Sequence, residues 1–94
     1  MTLKLTPHAI RSCETRGLPA DVIHRVATAK TGGIREDSDY AVHVGRVPDR
    51  GSLVGSNGSE VWAIVRGLAI TTIMLRRKDQ PSTAAALDVD YIIL

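Results

Sequence analysis

Hydrophobic and polar positions follow two different periods along the chain, which separate an N-terminal helical part from a C-terminal strand part. Between residues 7 and 30 the apolar side chains recur at helical spacing, as at Val22, Ile23 and Val26. From about residue 39 they alternate or form β-branched stretches, which is typical of strands. We therefore predict an α+β fold in one domain that spans residues 1–94.

Local signals place the ends of two helices. Thr6 is a favourable N-cap, Pro7 suits the first helical position, and Gly17 is a natural left-handed stop, so the first helix is predicted at residues 7–16. The second helix is predicted at residues 19–30 and is followed by two glycines. Because only a short connection separates them, we expect a helical hairpin.

The C-terminal part contains four segments with strand patterns, at residues 40–44, 60–67, 69–77 and 88–94. A tight glycine turn joins the second and third segments, which predicts an antiparallel hairpin. The pair Asn57-Gly58, in the loop before them, is a further hairpin signal. We predict that both helices pack on one face of an antiparallel sheet of three to five strands.

This arrangement leaves the second face of the sheet without a helix. The segments 60–66 and 69–75 are apolar on both faces, so we expect Trp62, Ile64, Ile70 and Met74, or the residues that alternate with them, to be exposed. Exposed apolar patches of this kind usually mark an interface. The sequence therefore predicts a homodimer that forms through this face.

The distribution of charge along the chain points to an anionic partner. The formal net charge is only +2, but two basic blocks, residues 1–34 and 61–78, flank an acidic one. Arginine matches phosphate oxygens, although solvated surface charge explains the same pattern. The N-terminus lacks the pattern of a signal peptide, and the longest apolar stretch is too short for a membrane helix. We expect a cytoplasmic protein with no membrane partner.

Motifs for metal or cofactor binding are not predicted. The glycine-rich stretch before Asn57 lacks the Lys-Ser/Thr of a phosphate-binding loop. The histidines and the single cysteine do not pair at metal-ligand spacings. We expect Cys13 to be an inert core residue, His24 a plain surface residue and His43 a partly buried structural histidine.

The first helix carries an unusual polar side. A helical wheel groups Ala9, Ile10 and Cys13 towards the core, with Arg16 at the border; the residues on the opposite side are His8, Arg11, Ser12 and Thr15. Free backbone N–H groups in the first turn favour an anion near His8. This pattern fits a phosphate site, and it also fits the ordinary polar face of an amphipathic helix.

The opening segment "LTPHAIRSCETRGLPADVI" resembles the start of domain-of-unknown-function family number 4258. The matching residues are Thr6, His8, Ala9, Arg16 and Gly17, and later Thr72-Ile73, with Met74 where the family usually has an aromatic residue. This family is similar in layout to the RelE-like and barnase/EndoU/colicin-type nucleases. The resemblance implies a RelE-like fold and metal-independent RNA cleavage, often by a toxin that pairs with an antitoxin protein.

Metal-independent RNA cleavage needs an acid–base group and positive charge near the phosphate. For this reaction His8 is the candidate acid or base, Arg16 and Arg11 are candidates for phosphate stabilisation, and Thr72 is the candidate donor from the strand that the resemblance places opposite. The remaining candidates for holding the RNA backbone are Arg66, Arg76 and Arg77. A charged strand end explains the last two equally well. A non-catalytic nucleic-acid-binding domain and an oligomerising domain stay open as alternatives.

Overall fold

The computed structural model describes residues 2–32, 38–45, 60–77 and 80–94. Within these residues the elements follow in the order β1 (Lys4–Leu5), α1 (Pro7–Arg16), α2 (Ala20–Thr31), β2 (Tyr40–Gly45), β3 (Glu60–Arg66), β4 (Ala69–Arg76) and β5 (Tyr91–Ile93). The predicted α+β class is confirmed, and both predicted helices lie within one residue of their predicted ends. The pair Asn57-Gly58 lies outside the described residues.

The ends of α1 form for the reasons that the sequence indicates. The Thr6 side chain accepts a hydrogen bond from the backbone N–H of Ala9, at 3.2 Å, as an N-cap does. Gly17 ends the helix with φ 67°, a left-handed conformation that suits glycine. The next backbone N–H, of Leu18, turns back to the carbonyl of Cys13 at 2.8 Å. These local bonds fix the length and the entry direction of α1.

The five described strands form one mixed sheet in the order β1-β4-β3-β2-β5. The three central strands pair antiparallel, as predicted, but β1 runs parallel to β4 and β5 runs parallel to β2. The prediction of a purely antiparallel sheet was therefore wrong at both edges. The reason is that each edge strand reaches its partner through a non-local connection, and parallel pairing needs such a crossover.

Both helices pack on one side of the sheet, which we call the helix face. The buried residues of this core include Ala9 and Cys13 of α1, Ile23 and Ala27 of α2, and the sheet residues Tyr40, Val42, Val61, Ala63, Val65, Ile70 and Ile73. Cys13 is fully buried, which confirms its predicted place in the core. Ala9 and Cys13 of α1 are thus used for packing, and the polar side of the helix is turned away from the sheet. Ile10 was expected to face the core as well, but it is 38% exposed, so that expectation was wrong.

A β-bulge in β4 changes which residues share a face. Val65 pairs with Ile70 and Ile64 pairs with Thr72, so Thr71 is an extra residue between the two pairs. As a result Ile70 and Ile73, three residues apart, both lie in the core under the helices. Strict alternation placed Ile70 on the other face, and that placement was wrong.

The opposite side of the sheet, the cover face, is covered by residues 80–94, which we call the C-terminal segment. The buried residues Ala41, Trp62, Ile64 and Leu87 form a second cluster, with Met74, Val89 and Ile92 packed against it. Trp62 is 2% exposed and Ile64 is 1% exposed. The expectation that Trp62 and Ile64 are exposed was therefore wrong. The homodimer stays a prediction, but it loses the apolar face on which it was based.

Candidate functional site

Five side chains of α1 line a shallow depression of about 270 Å³: His8, Arg11, Ser12, Thr15 and Arg16. We call this set the α1 surface. The sequence placed the first four on one side of the helix and Arg16 at its border, and the structure brings all five together. Helical periodicity alone was enough to predict this grouping because every member lies on one helix.

The α1 surface is anchored to the sheet at both of its ends. At the N-terminal end, the Thr6 hydroxyl donates to the carbonyl of Ile70 at 2.8 Å. At the C-terminal end, a guanidinium nitrogen of Arg16 lies 3.5 Å from the carbonyl of Ile73, which is a long hydrogen bond. Both acceptors belong to β4. The depression therefore lies on a helix whose two ends are held by the same strand.

The α1 surface is positively charged and holds no carboxylate. His8 and Arg11 are exposed, and in the part of the chain that the structure describes neither side chain makes a hydrogen bond or an ion pair. The first turn of α1 contains no acidic residue. Two guanidinium groups, one imidazole and two hydroxyls are thus presented together, which is a donor-rich surface suited to phosphate oxygens.

Thr72 does not belong to this site. It pairs with Ile64, which lies in the cluster of the cover face, whereas Ile73 beside it lies under the helices. Since neighbouring strand residues point to opposite faces, the Thr72 side chain lies on the side of the sheet away from α1. The predicted grouping of His8, Arg16 and Thr72 across one groove is therefore not formed.

Arg66 fixes the C-terminal segment. Its guanidinium forms an ion pair with Asp39 and donates to the carbonyl of Asp88 at 3.2 Å. Asp90 adds to the same junction, because its carboxylate accepts from the backbone N–H of Asp39 at 2.9 Å. The predicted RNA-binding role of Arg66 stays untested, and the structure gives this side chain a structural role.

The arginines at the end of β4 contact this segment in different ways, Arg76 through its side chain and Arg77 through its backbone. Arg76 donates to the carbonyl of Pro81 and lies on the same face of β4 as Thr72, away from α1. Arg77 is exposed, and its backbone N–H donates to the side-chain oxygen of Gln80 at 2.9 Å. Arg66 and Arg76 thus lie on the cover face, so together with the α1 surface they do not form one continuous site.

Two histidines have partners that the sequence did not reveal. Nε2 of His24 lies 2.5 Å from the carbonyl of Leu3, so His24 ties α2 to the N-terminal segment and is not a plain surface residue. Nε2 of His43 lies 2.7 Å from a carboxylate oxygen of Glu60. The alternation of Val42, His43 and Val44 gave the correct face for His43. Its partner depended on the register between β2 and β3, which no local pattern supplies.

Burial determines the chemistry of the cysteine. Burial raises the pKa of the Cys13 thiol above its usual value, and the nearby Arg16 only partly opposes this effect. A buried thiol with a raised pKa is a poor nucleophile. Among the described residues no group of three or more His, Cys, Asp or Glu side chains is placed to hold a metal ion.

Comparison with protein-family models, with curated proteins and with solved structures gave no match. The site is a cationic helix surface with one acid–base side chain, on an α+β domain with a five-stranded mixed sheet. None of the helices in the described ranges is long and apolar enough to cross a membrane.

Proposed function

We propose that this domain is a metal-independent ribonuclease of the toxin type, which acts in the cytoplasm and binds the phosphate backbone of RNA on the α1 surface. One observation carries this proposal. His8, Arg11 and Arg16 line a single depression, where His8 and Arg11 are free of protein partners among the described residues. Exposed arginines without carboxylate partners are suited to bind phosphate.

The reaction needs only the RNA and the α1 surface. The imidazole of His8 takes the proton from a ribose 2′-hydroxyl, and the 2′-oxygen forms a bond to phosphorus while the bond from phosphorus to the 5′-oxygen breaks. The imidazolium then gives its proton to the 5′-oxygen. Arg11 and Arg16 donate to the phosphate oxygens as negative charge builds up. The products are a 2′,3′-cyclic phosphate and a 5′-hydroxyl.

The resemblance of the opening segment to family 4258 supports the same assignment. His8 and Arg16 are two of the residues that carry this resemblance, and both line the depression. The similar layout of that family to RelE-like nucleases suggests an antitoxin protein as the partner that controls the activity. Since a fold hosts many functions, the activity has to be tested at the site itself.

The test is cleavage of RNA by the purified protein in the presence of EDTA. We expect wild type to cut, His8→Ala to lose about 10²–10⁴-fold in rate as when a general acid–base group is removed, and Arg16→Ala to lose about 10²–10³-fold. Arg25→Ala is the matched control, because Arg25 is a highly exposed arginine on α2, outside the α1 surface. It should cut at the wild-type rate.

Three results would contradict the proposal: no cleavage by wild type together with no slowing of growth on expression, a requirement for a divalent metal, or full activity of His8→Ala. Arg16→Lys separates charge from the hydrogen bond to the carbonyl of Ile73. If only the positive charge at position 16 matters, Arg16→Lys retains most of the activity.

A second candidate is a nucleic-acid-binding domain without catalysis. It is favoured by the absence of a second acid–base group among the described residues of the depression, since His8 alone has to serve both proton transfers. In this case wild type binds RNA with a strong salt dependence and cuts none. Arg11→Ala and Arg16→Ala then weaken binding, and Arg25→Ala does not.

A further inference from the structure

A second polar cluster lies on the cover face, at the adjoining ends of β2 and β3. His43 pairs in register with Trp62, and Glu60 lies two residues before Trp62 on the same face. Nε2 of His43 is 2.7 Å from a carboxylate oxygen of Glu60, and each side chain is 27% exposed. Both groups are thus held together and still reach solvent.

The hydrogen bond defines which nitrogen of His43 is available. An ionised carboxylate only accepts, so Nε2 carries the proton of this bond. In the described part of the chain Nδ1 has no partner. The imidazole ring also packs against the indole of Trp62, with 4.9 Å between ring centroids. The carboxylate and the indole together orient the imidazole, and its free nitrogen can accept or donate a proton.

The surroundings of this pair are cationic. The ammonium of Lys30, near the C-terminal end of α2, lies 2.6 Å from the backbone carbonyl of His43, so it reaches this part of β2 from the helix face. Arg76 is the in-register partner of Glu60 on β4 and lies on the same face. Among the described residues, two permanent positive charges thus lie near this carboxylate, and one of them, Arg76, also donates to the carbonyl of Pro81. This balance favours an anionic ligand.

We propose that His43, oriented by Glu60, is a second acid–base centre of the protein, and that a phosphate ester is the class of ligand it binds. Nδ1 of His43 takes up a proton when the anion binds and donates it in a hydrogen bond to a phosphate oxygen. Lys30 contributes positive charge, and Glu60 is a positioning residue. This inference goes beyond the proposed ribonuclease activity, because the pair lies on the opposite face of the sheet from the α1 surface.

The experiment follows the imidazole nitrogens of His43 by NMR while inorganic phosphate or uridine 3′-monophosphate is added. In wild type we expect the Nε2–H tautomer of the neutral ring before addition, and a saturable shift of the His43 ring on addition. Lys30→Gln should weaken the binding roughly tenfold, as for the loss of one charge-assisted hydrogen bond. Arg25→Ala, on an exposed face of α2, should bind as wild type does.

Glu60→Gln tests the positioning role separately from the charge. An amide group either donates or accepts, so the fixed tautomer of His43 should give way to a mixture while the fold is kept. His43→Ala and the more conservative His43→Gln should both lose the saturable binding at this cluster. Fluorescence of the buried Trp62 during urea unfolding checks that each variant is folded before it is titrated.

The proposal is overturned if neither probe gives a saturable shift at His43, if the shifts occur only at the α1 surface, or if the Nδ1–H tautomer dominates in wild type. In each case the contact between His43 and Glu60 has a structural role only. The titration requires no RNA cleavage, so a failure here leaves the ribonuclease proposal in place, and the reverse also holds.

Discussion

Thr6 is the residue through which one substitution tests how α1 is held against the sheet. Its hydroxyl donates to the carbonyl of Ile70 at 2.8 Å and accepts from the backbone N–H of Ala9 at 3.2 Å. Thr6→Val replaces this hydroxyl with a methyl group of similar size and removes both bonds. We expect the variant to fold and to be clearly less stable than wild type.

The magnitude follows from the two bonds. Loss of an N-cap costs about 0.5–2 kcal/mol, and a typical hydrogen bond contributes about 0.5–1.5 kcal/mol. Ala9 is fully buried, so its N–H loses its partner where water is scarce. The carbonyl of Ile70 keeps a second donor, the backbone N–H of Thr6 at 3.3 Å. We therefore expect a loss of about 1–3 kcal/mol in the free energy of unfolding, out of the roughly 5–15 kcal/mol that domains have.

The assay is urea unfolding followed by fluorescence of Trp62, the single tryptophan, which is almost fully buried. Thr6→Ser is the matched control, because it keeps the hydroxyl and should stay within about 1 kcal/mol of wild type, as serine and threonine are both good caps. Two results would show that the hydroxyl of Thr6 does not stabilise the fold: unfolding of Thr6→Val at the wild-type urea concentration with an unchanged slope, or a loss of stability in the serine variant as large as in the valine variant.

Three further predictions concern the core and the C-terminal segment. Leu87→Ala should cost about 2–5 kcal/mol in urea unfolding, because Leu87 is a buried member of the cover-face cluster. Burial raises the pKa of the Cys13 thiol above its usual 9.0. The stability that this thiol contributes is therefore complete below pH 9.0 and is lost as the pH rises towards the raised pKa. Between pH 8 and pH 10, the free energy of unfolding measured in urea should decline less for Cys13→Ala than for wild type. Arg66→Gln should speed amide hydrogen exchange in β5, while global stability falls by only about 1 kcal/mol, since its ion pair with Asp39 is partly exposed.

The helices could be predicted because their signals are local. Thr6 and Gly17 act within a few residues of their own positions, through the cap of α1 and its left-handed end. The same locality explains the correct face of Cys13 and the grouping of the α1 surface. A helix fixes the relative directions of its side chains with its own geometry, so no knowledge of a partner is needed.

The edges of the sheet could not be predicted in the same way. β1 covers only Lys4–Leu5, and its pairing with β4 depends on where the chain returns after two helices and two strands. The pattern of residues 88–94 allowed a further strand there, but the parallel pairing of β5 with β2 depends on the segment that crosses the cover face before it. That segment has no strong helical or strand period. Its role in covering Trp62 therefore appears only in three dimensions.

The misplaced residue of the candidate site shows where strand patterns fail. Alternation correctly groups Thr72 with Arg76, but it cannot say which face of the sheet the helices cover, and the bulge at Thr71 breaks the alternation with Ile70. To predict a site assembled from a helix and a strand, one has to know both the face of the sheet that the helices cover and the position of the bulge. Because Thr72 is on the far side, every role in the proposed cleavage reaction falls to α1. His8 must then both take and return the proton, which makes the rate of His8→Ala the most demanding measurement for the proposal.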